Sequence, residues 1–99
     1  MTWSLRRTEL ASDDLLEIWL YIAAENPQAA DKLLYGLDSA FRLVADFPRI
    51  GKPIDDIAPD HRTLVHGHYL LVYRVDETAR VCELVRVVHG ARRWADLIG

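Results

Sequence analysis

The sequence predicts an α+β fold: an N-terminal helical hairpin on a small, curled, mainly antiparallel sheet, in the order β-α-α-β-β-β with a short helical tail. Three observations carry this. Apolar residues recur at helical spacing up to Phe47 and then give way to strand-like runs from Arg62 onward. Asn26-Pro27 is a helix N-cap followed by proline at the first helical position, so it divides the helical half in two. The strand-like runs are separated by short turns, and consecutive strands joined that way pair antiparallel.

Each element follows from its residues. Trp3, Leu5 and Arg7 alternate with Ser4 and Arg6, a period-2 signal for a short opening strand. Thr8 can cap the first helix, with Glu9 in its favourable first turn. Ala11, Leu15, Ile18, Trp19 and Ile22 form one apolar stripe on that helix, which should end at Glu25-Asn26. Leu16, Leu20 and Ala24 form a second stripe, so the helix is apolar on more than one side. Ala30, Leu33, Leu34, Leu37, Phe41 and Val44 give the second helix its core face, and Phe47-Pro48 stops it. Residues 47–60 carry three of the prolines and read as a long loop, a common place for function. Arg62–His66 and Tyr69–Val75 then read as strands about a turn at Gly67. The second is nearly continuous in apolar residues, as a strand covered on both faces is. Asp76–Ala79 is a hairpin turn, Val81–Val88 the last long strand, and Gly90 opens the tail.

Composition bounds the function. The 99 residues are 51% hydrophobic and 27% charged, which is the make-up of one soluble globular domain spanning 1–99 and not of a disordered chain. No apolar run approaches the roughly 18 residues of a membrane span, and no apolar segment follows the first charges as in a signal peptide. The single cysteine, Cys82, fits a cytoplasmic protein and, among Val81, Leu84 and Val85, a small core residue. The net charge of −3 conceals an asymmetry: residues 1–60 sum to −5, whereas 61–99 sum to +2 and hold all four histidines. Two surfaces with different partners are expected, and the basic one is too modest for a dedicated nucleic-acid binder.

Catalytic templates are missing. There is no Gly-rich phosphate loop, Cys-x-x-Cys, His-Glu-x-x-His or Gly-x-Ser-x-Gly. His61, His66, His68 and His89 read as exposed turn residues, not as a zinc set, so neither metal nor cofactor is expected. Asp13, Asp14, Glu17, Asp55 and Asp56 read as solvated charge. What remains is a set of arginines with a histidine near the end of the sheet: Arg62, Arg86, His89, Arg92 and Arg93. Arg86 alternates onto the side of its strand that carries Cys82, Leu84 and Val88. So apolar a strand requires its arginine either to be tied to an acid or to chain-end carbonyls, or to face a partner.

The stretch Ala11-x-x-Asp14-Leu15-x-x-Ile18-Trp19-x-Tyr21-Ile22-Ala23, with Pro27-x-x-Ala30, resembles the first helical hairpin of the ParE/RelE toxin superfamily. So do Leu43-x-x-x-Phe47-Pro48-x-x-Gly51, the spacing Arg62-x6-Tyr69-x-x-x-Tyr73-Arg74, and the ending Val85-Arg86-Val87-Val88-His89-Gly90-Ala91-Arg92-Arg93-Trp94, the last being similar to the ParE branch. The resemblance covers nearly the whole chain in the superfamily's order. It implies the toxin of a bacterial type II toxin–antitoxin pair: a cytoplasmic growth inhibitor that binds DNA gyrase, helps stabilise a plasmid, and is neutralised by a cognate antitoxin in a hetero-oligomer.

In that reading no residue is catalytic and no cofactor, membrane or sequence-specific nucleic acid is involved. The target would be met by Arg86, His89, Arg92, Arg93 and Trp94, and the antitoxin by Leu16, Leu20 and Ala24. The RelE-like alternative is a ribosome-dependent messenger-RNA endoribonuclease using Arg62, Arg86 and His89. A third reading is a non-toxic relative that keeps antitoxin binding. No tyrosine follows Gly90, and Lys32 and Lys52 are the only lysines, which favours the gyrase branch.

Overall fold

A computed structural model describes residues 2–90. The elements run β1 (Ser4–Arg7), α1 (Glu9–Ala23), α2 (Pro27–Asp46), β2 (Lys52–Pro53), β3 (His61–His66), β4 (Tyr69–Asp76) and β5 (Val81–His89). They build an α+β fold with the expected helical hairpin and a five-stranded sheet in the order β1-β5-β4-β3-β2. β1 runs parallel to β5 and the other neighbours are antiparallel.

The helix starts are those the sequence signals. Thr8 Oγ1 accepts the Ala11 amide at 3.1 Å, and Asn26 Oδ1 accepts the Ala29 amide at 3.0 Å with Pro27 just inside the helix. Trp19 Nε1 donates to Asp31 Oδ1 at 2.8 Å across the hairpin, tying one helix to the other near the turn. Phe47, as expected, caps the end of α2. The hairpin turn before β5 is also as expected: Asp76 Oδ1 accepts the Ala79 amide, and Arg80 adopts a left-handed conformation at φ 55°. Its guanidinium then sits 4.9 Å from the Trp3 ring centroid, a cation–π contact.

The core lies between the helices and one face of the sheet. Leu37, Phe41 and Val44 of α2 meet Leu71, Tyr73 and Val75 of β4 and Cys82, Leu84 and Val87 of β5. Phe41 and Tyr73 pack edge to face at 6.2 Å.

Four expectations need correction. α1 ends at Ala23, with Ala24 as its C-cap, short of Glu25-Asn26. The segment 47–60 is not all loop, because Lys52–Pro53 pairs with Arg62 and Thr63 as an edge strand, a position where proline is tolerated. His61 and His66 are half-buried residues of β3 and His89 is an exposed residue of β5, so of the four histidines expected in exposed turns only His68 is in one. The His66 ring lies against Gly36 of α2, where an added Cβ would come within 2.6 Å of Nε2. Finally, Arg86 does not share the alternation of Cys82 and Leu84. Val72 pairs with Arg86 but Tyr73 pairs with Leu84, so Val85 is an extra residue, a β-bulge. After it, Val87 and not Val88 belongs to the helix-side core.

Candidate functional site

The bulge explains Arg86. β1 pairs with β5 only as far as Arg7 opposite Leu84, which leaves the rest of that β5 edge without a strand. The start of α1 takes its place. Thr8 donates its amide to Leu84 O and its hydroxyl to Val85 O, and Asp14 Oδ2 accepts the Val87 amide at 2.9 Å. The same carboxylate receives Arg86 in a fork, Nε to Oδ2 at 2.8 Å and Nη2 to Oδ1 at 3.0 Å. Both side chains are largely covered, 17% exposed for Arg86 and 12% for Asp14. The hydrogen bond to Asp14 holds the guanidinium protonated more firmly than usual, against the opposing effect of burial. Of the two roles the sequence left open for Arg86, the structure shows the tie to an acid.

Arg62 is committed elsewhere. Its Nη1 donates to Gly51 O at 2.7 Å and Arg49 O at 3.1 Å. Beside it on β4, the fully buried Tyr73 hydroxyl donates to Pro48 O and accepts the Gly51 amide. Burial pushes the phenol above its ordinary 10.0, with the Gly51 amide and the Arg62 charge acting against that rise. Gly51 must be glycine here, because a Cβ would lie 2.8 Å from Thr63 O and from the Tyr73 ring. The Pro48-x-x-Gly51 motif is therefore a turn clamped to the sheet by Arg62 and Tyr73.

His89 stands at the far end of β5, stacked on His68 at 6.0 Å and edge-on to Tyr69 at 5.4 Å. Arg62 is level with Tyr73, Arg86 with Val72 and His89 with Tyr69. That spread along β4 is four residues, roughly 13 Å, so the structure does not bring the three side chains together. Arg92, Arg93 and Trp94 lie outside the described residues. Cys82 is fully buried, and burial raises its thiol pKa.

Several large apolar side chains are exposed. Leu16 and Leu20 on the outer side of α1 are 57% and 55% exposed, Ala24 is exposed beside them, and Tyr21 reaches 82%. Sequence reasoning singled out the first three and missed Tyr21, whose ring counts as core-like by composition but points away from the hairpin. It also missed a groove of about 570 Å3 between β1 and α2. Leu5, Leu34, Leu37 and Phe41 line it, with Arg6 and Arg7 at the rim. Only the folded chain places β1 beside α2.

The ParE toxin of the type II toxin–antitoxin system parDE, as a family, matches residues 5–94. The chain belongs to the ParE toxin family. The putative toxin Y4kP of Sinorhizobium fredii is 27% identical over 96 residues, covering 97% of this chain and 93% of that protein. The Mycobacterium tuberculosis toxin ParE1 is 38% identical over 60 residues, 61% of this chain and 60% of that toxin. Two solved structures share the fold. The chromosomal ParDE system of P. aeruginosa gives a TM-score of 0.72 at 22% identity, over 89% of this chain and 96% of that one. The M. tuberculosis toxin–antitoxin complex RelBE2 gives 0.66 at 24%, over 90% and 99%.

Proposed function

We propose that this ParE-family toxin acts in the cytoplasm by binding and inhibiting DNA gyrase, and that a cognate antitoxin neutralises it. The observation that carries the reading is the commitment of Arg62 and Arg86. An endoribonuclease needs cations aimed at a phosphate, and these two are tied to the 49–51 turn and to Asp14. What the surface offers instead is exposed apolar side chains, the material of protein interfaces. Target binding is assigned to His89 with Arg92, Arg93 and Trp94, while Arg86 holds the strand that carries His89. The antitoxin is assigned Leu16, Leu20 and Ala24 on α1. The likeness to the ParDE and RelBE2 complexes supports a partner of this kind.

Purified protein should inhibit gyrase supercoiling and leave messenger RNA on ribosomes intact, and growth inhibition should be relieved by co-expressing the product of the neighbouring gene. Ribosome-dependent cleavage in primer extension, lost on Arg86→Ala, would reverse the choice of target. A catalytic contact of that kind is worth about 100- to 1,000-fold in rate, well within detection.

A further inference from the structure

We infer that the cavity between β1 and α2 is a small-molecule site for a free aliphatic monocarboxylate, whose hydrocarbon chain lies along the leucines and whose carboxylate meets Arg7.

The apolar part comes first. The cavity holds about 570 Å3, within the roughly 300 to 1,000 Å3 of ligand sites, and such sites are mostly apolar with a few placed polar groups. Leu5, Leu15 and Leu34, each half-buried, form its walls, and Leu37, Phe41 and Leu84 close its floor. The floor offers no ring to stack on, because Phe41 is only 8% exposed and packs edge to face with Tyr73. A flexible hydrocarbon suits such a lining better than a planar ring does. From Leu34 to Phe41 the α2 wall rises roughly 10 Å, the span of an extended chain of about eight carbons.

The polar end follows from the strand register. Leu5 pairs with Cys82 and Arg7 with Leu84, and both partners belong to the helix-side core. Arg7 therefore shares the face of Leu5, whereas the Arg6 side chain falls on the other face by alternation. Arg7 is exposed and forms no ion pair among the described residues. The other charges at the rim cancel, since Arg42 Nε holds Asp38 Oδ2 at 2.8 Å. What is left is one positive charge over an apolar floor, which matches a single carboxylate and not a multiply charged phosphate. Tyr35, 74% exposed on the same rim, brings a hydroxyl able to donate to that carboxylate.

Methyl NMR of the full chain tests this with octanoate, kept below its micelle concentration. The Leu5, Leu15 and Leu34 methyls should shift saturably, and those of Leu16, Leu20 and Val65, exposed elsewhere, should not. Methyl octanoate keeps the chain without the charge and octylammonium reverses the charge, so each should bind at least about tenfold more weakly. Arg7→Gln should cut octanoate affinity at least about fivefold and leave methyl octanoate unaffected, while Arg6→Gln should alter neither. Should Arg7→Gln fail to fold, the ester and the ammonium still decide on the unaltered chain. Equal binding of either of those two, equal shifts at Leu16 and Leu20 (adsorption to any exposed leucine), octanoate affinity lost in Arg6→Gln, or shifts at the cavity on concentrating the chain alone (a second copy) would each overturn the assignment.

Discussion

Asp14 and Arg86, 72 residues apart, form a two-point ion pair that stands where β1 stops and β5 continues. Because the carboxylate also accepts the Val87 amide, one acidic side chain on a helix replaces both a missing strand neighbour and a counter-ion. Removing one partner of a covered pair costs more than the pair itself contributes, since it strands the other charge.

Asp14→Ala should therefore destabilise the fold by about 3 kcal/mol in urea unfolding, leaving Arg86 and the Val87 amide without their acceptor. Asp14→Asn keeps one oxygen and should cost about half as much. The role assigned to Asp14 does not survive if the alanine variant stays within about 0.5 kcal/mol of the parent.

The clamped turn gives a second expectation. Tyr73→Phe deletes both bonds of the hydroxyl and leaves the Gly51 amide buried without its acceptor, at a cost of about 1 to 3 kcal/mol. For a domain near this size each kcal/mol lowers the melting temperature by roughly 4 to 8 °C. Gly51→Ala should be at least as harmful, because its new methyl meets backbone and a buried ring. Thermal melts of the two variants decide the matter, and parent-like melting of either would contradict the clamp.

Alkaline pH should weaken the fold. Cys82 and Tyr73 both hold their protons more tightly folded than unfolded, above ordinary values of 9.0 and 10.0. The unfolded chain then releases protons first as pH rises. Stability is complete below about pH 9 and declines above it, by at most about 1.4 kcal/mol per pH unit for each group. Urea midpoints between pH 8 and 11 measure the decline, and Cys82→Ala should make it shallower. A thiol reagent should react with Cys82 only after unfolding.

The outer face of α1 and the chain end separate two activities. Leu16→Asp with Leu20→Asp should weaken the antitoxin complex by several kcal/mol, at roughly 1.5 to 3 per buried apolar side chain, while the fold survives because both are exposed. Arg92→Ala with Arg93→Ala should instead abolish growth inhibition and leave antitoxin binding in place. Undiminished antitoxin affinity in the first variant, or full toxicity in the second at equal expression, would break the assignment of these surfaces.

Helix and strand identities were legible because local chemistry determines them: Thr8 and Asn26 cap with their own side chains, and the period of apolar residues changes where the chain changes structure. The second stripe of α1 was legible for the same reason, since a helix buries one side and Leu16 and Leu20 fall on the other. The short pairing of Lys52–Pro53 escaped because two residues carry no period. Arg86 and Arg62 read as a cationic patch, for charge is visible in a sequence and its partner is not. Only the tertiary structure decided that Asp14 and the carbonyls of Arg49 and Gly51 receive them. A single extra residue at Val85 was enough to turn Arg86 away from the side its alternation implied. Strand period is a count of residues, but the face a side chain occupies depends on which neighbour each residue pairs with, and here that is set between β4 and β5, where Val72 stands opposite Arg86 and Tyr73 opposite Leu84.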